Sequence, residues 1–553
     1  MNTLLRRSAL VRRALPAALV ATALISGCST GAAGKVKDSE SSTSSAPSAA
    51  ANGSDAGPLK PVSGGKGQDD PALQSFYKQK LGWAACPDDP KTDGDETGLE
   101  CAKMRVPLDY ANPGARSIDI AVMRYKAGDG GSRIGSLLTN PGGPGASGLD
   151  YLENTVQDLS PDVHRSFDVV GFDPRGVGKS TAVRCLTDAE RDQRNSEDGP
   201  DPKDQAASKA FSDKRAKDFA AGCQAKSGDL LKFVGTRNVA RDMDVLRYLV
   251  GDKKLNYLGF SYGTYLGALY AEEFPGRTGR LVLDGAVDPA ADQLDESVGQ
   301  QVGFEQSFTR FAKDCATRAG CPLGSDPAKA ATNGVDFLDS LRTNPLPTDD
   351  ARRKLTSSLA WTGMIRLLYA DESQGWKALR ETFAAAMQRG DGSLFLRFAD
   401  DYNGRDERGR YDNSMDVLTV VGCADSMADA PSPARVQETL AKLRAQAPLF
   451  SRDASADDFD GPGCEFWPFR TPEKPHTVKA AGSAPILVVG TTGDPATPYA
   501  ASQKLAQGFE KATLLTLEGE GHTAYSRGNQ CIDDAVDAYL LEGTMPAQGT
   551  RCK

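Results

Sequence analysis

Short apolar runs bounded by turn-forming residues recur between Ser117 and Asp288. Ile118, Ile120 and Val122 alternate along the chain, the period-two signature of a half-buried strand. Ile134 to Thr139, Phe167 to Phe172, Leu255 to Phe260 and Leu281 to Leu283 are mainly apolar runs and read as buried strands. Between them Val239, Met243, Leu246 and Leu249 fall near helical spacing. Strands alternating with helices predict a parallel sheet with crossover helices. The strand pattern returns at Pro485 to Gly490 and Thr513 to Leu517. From about Ala291 to Pro472 the periodicity is helical instead. Phe304, Phe308, Phe311 and Cys315 share one face, and Trp376, Leu379, Phe383 and Met387 share another. A helical insertion between two stretches of one sheet accounts for this order.

The first thirty residues follow a different rule. Arg6, Arg7, Arg12 and Arg13 precede an apolar run from Ala14 to Ile25, the layout of an export signal. The run is shorter than the ~20 residues a permanent span needs. It ends in Ile25-Ser26-Gly27-Cys28, which resembles a bacterial lipobox with Cys28 as the lipidated residue. The paired arginines leave the export route open. From Ser29 to about Asp70 the chain is rich in Ser, Ala, Gly, Thr and Lys and nearly free of large apolar side chains, so a flexible tether is expected. The chain thus divides into a signal (1–27), a lipidated tether (28–72), a first sheet segment (73–290), a helical insertion (291–474) and a returning sheet segment (475–553).

Composition narrows the function. Hydrophobic residues at 39% and charged residues at 25% describe a globular chain. The formal charge is −9, and loss of residues 1–27 removes four arginines and no acid, leaving −13. No basic stripe suits nucleic acid. An acidic surface also disfavours adsorption to anionic lipid, so membrane attachment would rest on the N-terminal lipid alone. Setting Cys28 aside, ten of the eleven cysteines remain, an even number as an oxidised exported protein would carry. Their spacing does not fit a zinc site, and no metal is expected. Pairing of sequence neighbours gives Cys86–Cys101, Cys185–Cys223, Cys315–Cys321, Cys423–Cys464 and Cys531–Cys552, a connectivity that sequence alone does not fix.

The chemistry centres on Gly259-Phe260-Ser261-Tyr262-Gly263, a G-x-S-x-G motif between the strand Leu255 to Phe260 and a helical run, Thr264 to Phe274. Such a turn exposes the Ser261 hydroxyl, and the helix behind it favours developing negative charge. On this turn the acid and the histidine follow the nucleophile in that order. Of three histidines, His164 precedes Ser261, and His476 lies between Pro475 and Thr477 in a Pro- and Lys-rich stretch. His522 follows the strand Thr513 to Leu517 in Gly519-Glu520-Gly521-His522 and is the expected base. Asp494, just past Ile486 to Gly490, is the favoured acid, with Asp284 after Leu281 to Leu283 as its competitor. Oxyanion donors are expected from the Tyr262 amide and from Gly143 in the loop Asn140-Pro141-Gly142-Gly143-Pro144-Gly145. The stretch Asp173 to Ser180 ends like a phosphate loop, but Asp173 stands where the first glycine is needed, and Pro174 removes an amide donor.

Together these motifs resemble the proline iminopeptidase and tripeptidyl aminopeptidase family of α/β-hydrolases, from about Cys86 to Cys552. The resemblance rests on Asn140 to Gly145, Gly171-Phe172-Asp173-Pro174-Arg175-Gly176, Gly259 to Gly263, Leu283-Asp284-Gly285, Gly493-Asp494-Pro495 and Gly521-His522. It implies an α/β-hydrolase fold, a mostly parallel sheet with flanking helices, carrying a large helical cap insertion. It further implies removal of short peptides, tripeptides foremost, from free N-termini through an acyl-enzyme on Ser261, with no cofactor. Asn140 departs from the histidine many iminopeptidases carry there, which weakens the proline-specific reading. Such exopeptidases hold the substrate ammonium with cap acids, and Asp425 is a candidate for that role. A carboxylesterase on the same relay is the alternative, since the fold does not settle the substrate. A non-catalytic surface binding protein would not need all these motifs at once.

The lipobox has a direct consequence. Cys28→Ser should release protein from the membrane fraction or block its processing, without changing intrinsic activity. Mass spectrometry that finds an unmodified N-terminus elsewhere would overturn the assignment.

Overall fold

A computed structural model of the chain describes residues 67–87, 98–128, 133–425, 431–459, 464–469 and 473–553. The export signal, Cys28 and nearly all of the tether lie outside them. Within the described residues the strands are β1 (Ala84–Ala85), β2 (Leu99–Pro107), β3 (Ser117–Tyr125), β4 (Gly135–Asn140) and β5 (Phe167–Phe172). They continue as β6 (Leu255–Phe260), β7 (Thr278–Asp284), β8 (Ile486–Gly493), β9 (Ala512–Glu520) and β10 (Arg551–Cys552). One sheet joins them in the order β1-β2-β3-β5-β4-β6-β7-β8-β9-β10. Pairing is antiparallel from β1 to β5 and parallel from there onward.

The central parallel strands, β4 to β8, are buried on both faces, which is why their sequences read as nearly continuous apolar runs. Leu138, Val170, Tyr257, Leu283 and Val488 point to one face, where helices Thr236–Leu249 and Tyr262–Glu273 pack. Leu137, Val169, Leu258, Val282 and Val489 point to the other, under helices Gly148–Thr155 and Gln530–Glu542. The chain leaves β4 toward one face and β6 toward the other. The crevice outside the C-terminal ends of these two neighbours is therefore a topological switch point, where open α/β sheets bind ligands.

Between β7 and β8 run the helices of the insertion. Phe304, Phe308, Phe311, Leu359, Phe383 and Phe395 form a core of their own. Helix Ser414–Asp425 differs, because Val417, Val420 and Val421 join the core on the sheet. The insertion is thus wedged into the body at its C-terminal part.

Three features differ from, or complete, the sequence reading. The tether, expected through residue 72, gives way to packed chain at Gly67: Gln68 accepts a hydrogen bond from Arg247 at 2.8 Å, Asp69 pairs with Arg277 at 2.8 Å, and Leu73 is buried. Strand β2 precedes the first expected strand; its Ala102, Met104 and Val106 alternate inward with Lys103 and Arg105 outward. The phosphate-loop look-alike is filled by its own acid. The Asp173 carboxylate accepts from the Lys179 amide at 2.7 Å, the Leu149 amide at 3.3 Å and the Ser147 hydroxyl at 2.6 Å. Arg175 of the same turn is buried and forks onto Asp242 with two 2.7 Å bonds, while Tyr110 donates to Asp242 at 2.8 Å.

All five expected disulfides are present: Cys86–Cys101, Cys185–Cys223, Cys315–Cys321, Cys423–Cys464 and Cys531–Cys552. Cys185–Cys223 closes 38 residues of chain and Cys315–Cys321 only 6, so chain entropy favours the former as the stronger brace. Replacing both members of the first pair with alanine should lower the unfolding free energy by about 2–4 kcal/mol. The second pair should cost less, as denaturant titration would show. Two or more free thiols in the native protein would contradict the oxidised framework.

Candidate active site

Ser261 follows β6 directly, in the left-handed region with φ at 55°, and helix Tyr262–Glu273 starts at the next residue. The turn is held from both sides: the Ser261 amide donates to the Asp284 carbonyl at 2.9 Å, and the Thr264 hydroxyl donates to the Ser261 carbonyl at 2.6 Å. A turn this tight leaves no room for a side chain at Gly259, where a Cβ would stand 2.5 Å from the Gly263 carbonyl oxygen.

The loop after β4 lies directly on this turn. Gly142 has φ at 100°, and a Cβ there would come within 2.6 Å of the Phe260 carbonyl and 3.2 Å of the Tyr262 amide nitrogen. Asn140 shapes the loop by accepting from the Gly142 amide at 3.0 Å. Gly142 thus sits against the first turn of the helix that begins with Tyr262, and Gly143 follows it in the same loop, folded back on Gly145 and Ala146; a glycine loop beside that amide is what an oxyanion site requires.

His522 and Asp494 come from the loops after β9 and β8. The imidazole Nδ1 lies 3.0 and 2.9 Å from the two Asp494 oxygens. That carboxylate also accepts from the Ala496 amide at 2.9 Å, the Thr497 amide at 2.8 Å, the Thr497 hydroxyl at 3.0 Å and the Thr523 amide at 3.3 Å. A carboxylate so fixed accepts a hydrogen bond from Nδ1–H, which holds the tautomer that leaves Nε2 as the free base of the ring. Ser261 is 0% exposed and His522 1%, and Ser261 Oγ and His522 Nε2 are both buried without a hydrogen-bond partner. These are the two atoms a serine relay joins, and in unliganded sites that bond is commonly long.

Asp284 does not share the imidazole. Its carboxylate accepts from the Ala524 amide at 3.1 and 2.9 Å and from the Tyr525 amide at 2.8 Å, bracing the loop just past His522. Burial pushes its pKa up to about 6. His476 lies apart, on Glu272 at 2.9 Å, and His164 packs against Tyr125.

Asp425, at the end of helix Ser414–Asp425, reaches the body rather than bulk water. It accepts from the Thr236 amide at 2.7 Å and the Thr236 hydroxyl at 2.5 Å, and that hydroxyl also bonds the Tyr262 phenol. Burial pushes its pKa up to about 7 despite those donors. Glu296, on helix Gln293–Ala316, is pushed up to about 8 by burial and by the charges of Asp288, Asp292 and Asp425. Both carboxylates act on Tyr265, whose ring lies 6.3 Å from that of Tyr262.

Several contributors escaped the sequence reading. Thr497 follows Asp494 by three residues, and the Asp-Pro-Ala-Thr run is a turn signal that could have pointed to it. Tyr369 has no such signal: its carbonyl accepts from the His522 amide at 2.9 Å, and its ring meets the imidazole edge-on at 5.3 Å. Glu296 also carries no motif. No group of residues that could hold a metal is found among the described residues.

A strained serine at a strand-to-helix turn, an aspartate-bound imidazole and a glycine loop over the helix N-terminus define a serine hydrolase of the α/β-hydrolase type. Comparison with known proteins gives the family. Residues 447–552 match the family described as TAP-like protein. The chain is 40% identical over 483 residues to serine protease Hip1 of Mycobacterium tuberculosis, covering 86% of this chain and 91% of that protein. It is 39% identical over 476 residues to carboxylesterase B of the same organism, covering 85% and 89%. It is 32% identical over 463 residues to tripeptidyl aminopeptidase of Streptomyces lividans, covering 82% and 83%. The chain belongs to this TAP-like family of α/β-hydrolases.

The two buried aspartates should separate by function. Asp494→Asn should lower kcat by roughly 10⁴-fold by imposing the wrong imidazole tautomer. Asp284→Asn should chiefly lower thermal stability. If Asp284→Asn abolishes turnover while Asp494→Asn retains it, the two roles are reversed.

Proposed function

We propose that the protein is an exported, lipid-anchored serine exopeptidase that releases short peptides, tripeptides foremost, from free N-termini. In this reading Ser261 attacks the scissile carbonyl while His522 takes its proton. Asp494 stabilises the imidazolium, and the Gly143 and Tyr262 amides hold the oxyanion. His522 then returns the proton to the departing amine, and water releases the acyl group by the same route.

The observation that carries the specificity is the pair Asp425 and Glu296. Both are half-buried carboxylates: Asp425 is bonded through Thr236 to Tyr262, beside the turn that holds Ser261, and Glu296 shares with it the field on Tyr265. Desolvated acids gain most from a ligand that brings its own positive charge. A free peptide N-terminus is such a ligand; an aliphatic acyl chain is not. The relatives named serine protease and tripeptidyl aminopeptidase support the peptidase reading. The relative named carboxylesterase B keeps ester hydrolysis as the second reading. The ten paired cysteines support export, and the sequence around Cys28 supports the anchor.

The raised pKa values give the test a direction. Near pH 6 Asp425 and Glu296 are mostly protonated in the free enzyme and offer little charge to an ammonium. Ionisation of Asp425 as pH rises through about 7 should lower KM for free-amine peptides, until the substrate amine loses its proton near 7.7–8.0, where Glu296, at about 8, only begins to ionise. Short-chain esters, lacking an ammonium, should follow the relay alone. Asp425→Asn should raise KM for free-amine tripeptide amides, flatten their extra pH dependence, and leave ester hydrolysis nearly unchanged. Equal cleavage of acetylated and free tripeptide amides would overturn the exopeptidase reading and favour the esterase.

A further inference from the structure

We propose that a cavity of about 380 Å³ beside the oxyanion loop is the subsite for the leaving part of the substrate, a peptide segment, and equally for an incoming peptide amine. The inference rests on acyl transfer at Ser261, but not on the free-N-terminus specificity.

The cavity meets the site at two places. Pro141, Gly145 and Ala146 of the loop after β4 form one wall, and Tyr369 forms part of another. Tyr369 is also the residue whose ring stands edge-on to the His522 imidazole and whose carbonyl holds the His522 amide. The cavity therefore adjoins the loop that would hold the oxyanion and is separated from the ring that would protonate the leaving nitrogen by the Tyr369 side chain packed on it. In serine acyl transfer the leaving group departs on the side of the imidazole, because its nitrogen must receive the proton from Nε2. Asp425 and Glu296 act on Tyr262 and Tyr265 instead, and neither lines this cavity. The acyl part and the leaving part are thereby given separate places.

The lining decides the chemical class. Tyr402 and Tyr411 supply ring faces, Lys179 and Arg184 supply donors, and the Arg366–Asp401 ion pair supplies both signs of charge. A wall of aromatic rings and mixed polar groups can satisfy the amides and carbonyls of a peptide, whose burial without partners is costly. It offers little to an aliphatic chain, and a small alcohol leaving group would need no such space.

A site that binds the leaving amine must, by microscopic reversibility, bind an attacking amine. In that step the amine nitrogen attacks the acyl-enzyme carbonyl, the C–N bond forms and the C–Oγ bond to Ser261 breaks. The amine proton passes through His522 to Ser261 Oγ. The full chain would be acylated with a p-nitrophenyl ester, which needs the relay alone, and the aminolysis-to-hydrolysis ratio followed against glycyl-phenylalaninamide or ethylamine. The dipeptide amide should saturate and ethylamine should not. Lys179→Trp and Asp401→Trp, at exposed rim positions, should each raise the half-saturating dipeptide concentration about tenfold, or ~1.4 kcal/mol, with hydrolysis of the acyl-enzyme by water unchanged, because p-nitrophenol has left before that step. An unchanged deacylation rate reports that each variant folds. Linear dependence on both amines, or saturation that neither variant shifts, would overturn the proposal. Failure of the free-amine specificity alone would appear only in the comparison of acetylated and free tripeptide amides.

Discussion

Strand β6 runs between β4 and β7, and the loops beyond their C-terminal ends are bonded to one another rather than standing free, so that the position of Ser261 is set by its neighbours. The Ser261 amide donates to the Asp284 carbonyl, and the Gly285 amide donates in turn to the Val489 carbonyl of β8. Asp284 then reaches with its side chain to the Ala524 and Tyr525 amides, just past His522. From the other side Gly142 presses its backbone onto Phe260 and Ser261. A serine held with φ at 55° is sterically unfavourable, and such a conformation persists where the surroundings over-determine it. The interlocked strand ends supply that constraint, and the histidine and acid loops are carried on the same lattice of bonds.

Aspartates recur throughout this arrangement, and their chemistry differs less than their company. Asp173 is fixed by the Leu149 and Lys179 amides and the Ser147 hydroxyl, Asp284 by two amides, Asp425 by the amide and hydroxyl of Thr236. Burial raises the pKa of each, to about 6, 6 and 7 respectively. In each case the donors moderate the cost of burial without abolishing it. Asp494 is fixed in the same manner by amides and a hydroxyl, but an imidazole shares it. The partner, more than the carboxylate, distinguishes a relay from a brace or a helix cap.

What could be read from the sequence follows from range. Strands β4, β5 and β6 were legible because burial on both faces imposes a local apolar run. Ser261 and His522 were legible because each follows a strand in a glycine-bearing turn. Asp494 could be ranked above Asp284, yet only the bonds to Nδ1 distinguish the two in space. The alternation of Ala102, Met104 and Val106 is present in the sequence, but it stands alone before Ser117, where the recurring strand pattern begins. Tyr369 and Glu296 were beyond reach. Tyr369 acts through its carbonyl on a residue 153 positions away, and no local pattern marks a residue for that. Glu296 stands out only in space, through its desolvation and the field of Asp288, Asp292 and Asp425 around it.

The insertion is part of the site's construction rather than a cover laid over it. Helix Gln293–Ala316 passes so close to the acid loop that a Cβ at Gly303 would stand 2.5 Å from the Pro495 carbonyl oxygen. Arg310 of the same helix bonds Glu520 at 2.7 Å, two residues before His522. Tyr369 supplies the acceptor for the His522 amide, and Asn413 bonds Gly176, Gly178 and Val183 on the far side. Wholesale withdrawal of the insertion would strip His522 of one of its supports and leave buried polar groups of the body without partners, each at a cost of about 1–3 kcal/mol. Side-chain and loop adjustments around a fixed insertion avoid that cost. Substrate selection and imidazole placement therefore share the same physical support, and a change in the insertion that alters one will tend to alter the other.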